Sequence, residues 1–221
     1  MTAGNNQIIS RLGKDYSALA SADISGLSDA SNELICNLME TNEDNPSLML
    51  VMFKTARKII DLEIANLSSQ SADNYEENER RLITDTIKDL DEWLGQYEKA
   101  IERQQEGQFE KPDVDALVFV EGNIDQWLAM NMNEDGDIPE SLSRVSYLLN
   151  ALWHLNKGAI WLHRRKHVRH RIHTSIDNLT MGMIYHNEMT TGELADIIVD
   201  PVLKYYNVDK GAFRLLYLED V

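Results

Sequence analysis

Apolar residues recur at helical intervals through nearly the whole chain, and this restricts the fold more than any other feature. The plainest run is Ile83, Ile87, Leu90, Leu94, Tyr97 and Ile101. Its alternating steps of four and three align these side chains on one stripe of an α-helix. That helix is expected over 74–106, with Asp73 as N-cap and Gly107 as stop. Its other faces are charged, and Glu76, Glu77 and Glu79 near its start favour the positive end of the helix dipole.

Similar stripes predict helices over 5–21, through Ile8, Leu12, Tyr16 and Leu19, and over 28–42, capped by Ser28. Pro46 opens a third helix to about Leu67, and Pro112 another to about Met132. Within the latter, Val114–Val120 reads equally as a short buried strand, because periodicity cannot separate the two. Pro139 opens a helix through Val145, Leu148, Leu152 and Leu155, and near Gly158 the apolar stripe turns to Trp161, Val168, Ile172, Ile176 and Leu179. Either the helix breaks there or one long helix shows different faces to different partners. Pro201 and Asn207 punctuate the tail into three short helices, 191–199, 201–206 and 210–219. Segments 68–73 and 107–111 read as short polar loops, which suit antiparallel neighbours.

The expected fold is therefore all-α: a multi-helix, bundle-like body over 1–190 and a small helical subdomain over 191–221, packed on that body. With 221 residues the chain can bury a substantial core unaided. A single cysteine, Cys36, excludes an internal disulfide and a thiolate metal site, and reads as a buried apolar residue. Together with the lack of a basic-then-apolar start and of any long apolar run, this points to a cytoplasmic protein that neither enters nor crosses a membrane.

Charge is distributed unevenly. The chain carries 37 acidic against 21 basic residues, a net −16, which disfavours polyanions as partners for the surface as a whole. Yet residues 141–176 hold no acid at all, and carry Arg144, Lys157, Arg164, Arg165, Lys166, Arg169 and Arg171. A +7 segment thus sits in a −23 remainder. Five of the six histidines, His154, His163, His167, His170 and His173, fall in it too.

Three readings of this segment compete. In the first, the basic helix near 157–176 packs beside acidic helices of its own body or of an oligomer. In the second, Lys157, Arg164, Arg165, Lys166, Arg169 and Arg171 dock a polyanion or an acidic partner. In the third, His163, His167 and His170, spaced i, i+4, i+7 and so within about 60° of one face, ligate zinc or copper. Protonation of these histidines below about pH 6.5 would add to the positive charge.

Two local patterns resemble known motifs. Asn131, Asn133, Asp135, Gly136 and Ile138 match an EF-hand calcium loop at five of its positions, but its twelfth position holds Leu142 where a bidentate Glu is required. The alternative is an acidic turn with Gly136 at positive φ. Residues Leu203–Arg214 resemble a helix-turn-helix, with Asn207 in the left-handed turn, Val208 fitting the turn, Asp209 capping and Lys210 and Arg214 on the second helix. The tail from Thr191 has three basic residues against six acids, a poor balance for phosphate. Trp93, Trp127, Trp153 and Trp161 read as core or subunit-contact residues.

The chain carries no phosphate-binding loop, nucleophile elbow or zinc-hydrolase helix motif, so no catalytic residue and no cofactor is expected. The resulting functional expectation is a non-enzymatic adaptor, assembly or regulatory protein that docks a protein partner or a second copy of itself. The alternative is a nucleic-acid-associated protein binding through 157–173 and the helix-turn-helix-like tail.

Overall fold

The computed structural model describes residues 3–23, 25–42, 45–163, 169–186 and 189–218. Among them the chain is all-α. The helices are α1 (Ala3–Ser21), α2 (Leu27–Asn42), α3 (Pro46–Asn74), α4 (Glu77–Gln105), α5 (Lys111–Asn131), α6 (Ser143–His163), α7 (Arg169–His186), α8 (Thr191–Tyr205) and α9 (Lys210–Leu218), with a single 3-10 turn at Glu140–Leu142 before α6. No described helix is long and apolar enough to cross a membrane.

Contacts divide the chain into two compact units, Met1–Thr55 with Met183–Val221, and Ala56–Gly182. The boundaries fall inside α3 and α7.

In the first unit α1 packs on α2, α8 and α9. Tyr16 and Phe213 are buried and meet edge to face, with ring centroids 5.3 Å apart. Tyr217 lies over Gly13, where a Cβ would fall inside its ring, so the glycine is what lets α9 approach α1. Asp196 of α8 gathers three donors: the Tyr16 hydroxyl at 2.8 Å, Lys210 Nζ at 3.2 Å and Arg214 Nη1 at 3.6 Å. Burial and the Asp196 carboxylate push the Tyr16 phenol up to about 12.

The two tail expectations divide. Asn207 does adopt a left-handed conformation, φ 54°, and the Asp209 side chain accepts from the Ala212 N–H at 2.7 Å as a cap. Pro201, however, does not end a helix. Leu194, Ala195, Ile198, Val199, Val202 and Leu203 form a continuous buried stripe on both sides of it. Packing along that stripe outweighs the roughly 3 kcal/mol that an interior proline costs.

In the second unit α6 packs on α5 and α4, and α4 on α5. Helix α6 is buried over most of its circumference, through Val145, Leu148, Leu149, Leu152, Leu155, Ala159 and Ile160, and keeps one half-buried stripe through Tyr147, Asn150, His154, Lys157 and Trp161. It runs unbroken through Gly158, and the stripe after residue 168 belongs to α7, where Ile172, Ile176 and Leu179 are buried. On α4, five of the six stripe residues are buried and Ile87 is half-buried. The helix starts at Glu77 rather than behind Asp73, because α3 continues to Asn74 through the expected loop 68–73. Its cap is Glu76, whose N–H donates to the Glu79 carboxylate at 3.2 Å. Gly107 ends it at φ 72°. Val114–Val120 is helical, within α5.

Candidate interaction surface

The basic segment begins in the core. Arg144, near the start of α6, is 2 % exposed, as is Glu63 on α3; its Nε and Nη2 donate to one carboxylate oxygen of Glu63 at 2.9 and 2.8 Å. Two charge-assisted hydrogen bonds converging on one oxygen offset the cost of burying the guanidinium. Glu63 stands on the buried stripe of α3 between Ile59, Ile60 and Leu67, where a lone acid is the sequence signal of an internal partner.

Nearly two turns before the end of α6, Lys157 pairs with Glu121 of α5. Glu121 is buried beside Leu117, Val120 and Ile124, and burial holds its carboxyl above the usual carboxylate range against the opposing pull of Lys157. The Lys157 ammonium also lies over the Trp153 ring, 5.1 Å from its centroid.

Arg171 of α7 completes this cluster. Its guanidinium lies 4.4 Å from the Trp161 centroid and 5.4 Å from that of Trp153, a cation between two indoles. One of its nitrogens is 3.2 Å from His154 Nδ1. Burial, then the nearby Arg171 and His170 charges, push His154 down to about 4. It is therefore neutral at physiological pH and can accept from Arg171. The expectation that histidines of this segment charge near pH 6.5 does not hold for His154.

Arg144, Lys157 and Arg171 thus have internal partners. Two pair with acids on α3 and α5, and the third stacks on α6 indoles. Arg164, Arg165, Lys166, His167 and the side chain of Arg169 lie outside the described residues. Of the proposed metal triad, His163 is exposed at the end of α6 with its ring 4.7 Å from that of Phe109, and His170 is exposed on the first turn of α7. Among the described residues no group of three or more His, Cys, Asp or Glu side chains could hold a metal ion.

The EF-hand-like loop is closed by its own backbone. The Asn133 side-chain oxygen accepts from the N–H groups of Asp135 at 3.0 Å and Asp137 at 2.8 Å, and Gly136 supplies φ 86°. Leu142, at the twelfth position, is buried. In the tail, Lys210 is bound to Asp200 at 2.7 Å and to Asp196, and Arg214 to Asp196. Both basic residues of the helix-turn-helix-like element are directed at α8.

What the sequence reading did not single out is the outer face of α5. Val118, Phe119 and Met130 are 49 %, 67 % and 74 % exposed, and Met132 follows at the helix end. Gly122 and Ala129 lie between them and are exposed as well. Leu117, Val120 and Ile124 fill the opposite, covered face, while the outer one sets Val118, Phe119 and Met130 among exposed Asp115, Asp125 and Gln126. The outer face of α4, by contrast, is uniformly charged and polar, with Arg81, Asp85, Asp89 and Glu92 exposed. Compared with known protein families, characterised proteins and solved structures, the chain matches none.

Proposed function

We propose that this chain is a non-enzymatic helical interaction protein, which docks a protein partner through a helix face rather than through its basic segment. The observation that carries this reading is α5, with Phe119 and Met130 mostly in solvent on a helix whose inner face is already packed. Scattered exposed apolar residues need no partner, but large ones aligned along one helix mark an interaction surface. The basic residues described in 141–176 add support from the other side, since Arg144, Lys157 and Arg171 are already engaged internally. The nucleic-acid alternative loses Lys157, Arg171, Lys210 and Arg214 to such contacts, and would fall to Arg164, Arg165, Lys166 and Arg169.

The test is a photo-crosslinking residue placed at position 119 and, as a control, at exposed Glu92 on α4, in cells that naturally produce the protein. A discrete adduct from position 119, missing from position 92 and abolished by Met130→Asp, is the expected result. No adduct, or the same adducts from both positions, would overturn the reading.

A further inference from the structure

We infer that the partner of α5 is a cationic amphipathic helix, a reading that rests on α5 being a docking face. Three features specify this chemistry. The first is shape. Helix α5 spans 21 residues, about 30 Å of ridge, which suits a second helix laid along it. Gly122 sits midway along the face, and a Cβ built there would meet nothing within 4 Å. The face is therefore open at its middle, and a partner helix can approach the α5 backbone there.

The second is the apolar content. Phe119 and Met130 are three turns apart and share one side of the face, so a partner helix must offer apolar residues at matching heptad-like spacing. Met130 is a flexible, polarisable contact that accommodates different side chains.

The third is charge. Asp115, Asp125, Glu134, Asp135 and Asp137 are exposed on or just beyond this face. Between residues 110 and 140 the only basic side chain is Lys111, which is bound to Asp115 at 2.8 Å. A second copy of the same face would set these acids against each other, and a polyanion would be repelled. A helix with Lys or Arg flanking its apolar stripe meets opposite charge at Asp125 and at the Glu134, Asp135 and Asp137 group beyond the C-terminal end of α5.

The experiment uses the full chain with two probes, a synthetic amphipathic helix of leucine and lysine heptads and its leucine–glutamate counterpart, with binding followed by calorimetry at low and high salt. The leucine–lysine helix is expected to bind, to weaken about tenfold with Phe119→Ala and again with Met130→Ala, and to weaken with added salt and with Asp115→Asn/Asp125→Asn. If the leucine–glutamate helix binds as well, or the Asn variants change nothing, the cationic partner is overturned while α5 stands as a docking face. If lysine-helix binding is indifferent to Phe119→Ala and Met130→Ala, or absent, the inference falls, and the crosslinking at position 119 decides separately whether the face docks anything. Should light scattering find a dimer that Phe119→Asp dissolves, the occupant is a second copy and the cationic partner is refuted.

Discussion

Replacing Arg144 with Met is the most demanding perturbation the fold offers. The change keeps most of the aliphatic volume but withdraws both donors from Glu63, a carboxylate only 2 % exposed. Removing one member of a buried pair costs about 3–5 kcal/mol, because the remaining charge has neither water nor its counter-ion. That is a fall of roughly two to four powers of ten in the folding equilibrium. The double variant Glu63→Leu/Arg144→Met removes both charges and is expected to lie between wild-type stability and about 1–4 kcal/mol above it. All four tryptophans, Trp93, Trp127, Trp153 and Trp161, fall in the unit Ala56–Gly182 that contains the pair. Urea unfolding followed by tryptophan fluorescence therefore reads that unit directly. A loss below about 1 kcal/mol for Arg144→Met, or a double variant as unstable as the two single losses added together, would refute the reasoning.

Other outcomes follow from single sites. His154 titrates at about 4 in the folded protein against 6.5 in the free residue, so the unfolded chain binds the extra proton between those values and stability falls as pH drops through that window. Allowing for partial solvent screening, the loss is about 2 kcal/mol, and from pH 7 to 4 the wild type should lose that much more stability than His154→Phe; parallel curves would contradict it. Asn156 is fully buried on α6 with neither amide atom hydrogen-bonded among the described residues, so Asn156→Leu is expected to stabilise by about 1 kcal/mol in the same urea assay, and a loss of stability would show that the amide is satisfied. Gly13→Ala should destabilise by about 1–3 kcal/mol through its collision with Tyr217. In a Tyr217→Ala background the same change should stabilise instead, by up to about 1 kcal/mol of helix propensity; thermal melts that show a loss in both backgrounds would place the clash elsewhere.

Helical periodicity carried the fold class because the stripes are long: the one through Leu90 and Leu94 fixes its helix whatever surrounds it. Ends were less legible. Pro201 and segment 68–73 look like breaks by local chemistry, but a stop signal yields when buried stripes continue on either side, as Ile198, Val199, Val202 and Leu203 do around Pro201. The turn at Asn207 was readable because positive φ and capping are local properties of Asn and Asp.

The candidate surface was harder to find. Charge composition drew attention to 141–176, yet composition records which charges exist and not which are already neutralised. Glu63 and Glu121 are far from their partners in sequence, and the one trace of these internal pairs is that each acid stands on an apolar stripe. The exposed side of α5 left a similar trace. The run Ala116–Val120 is apolar without regard to face, which reads as full burial and turns out to be burial on one side alone.

The three donors gathered on Asp196 give the first unit an unequal tolerance to sequence drift. Tyr16, Lys210 and Arg214 each sit on a different turn of helix, and losing any one leaves the carboxylate two other donors. Losing the carboxylate takes it from Tyr16 and Arg214 at once and leaves Lys210 with Asp200 alone. Variation in this unit is thus expected to be permissive at the spokes and restrictive at the hub, and an aligned set of related chains should change Lys210 and Arg214 freely long before it changes Asp196.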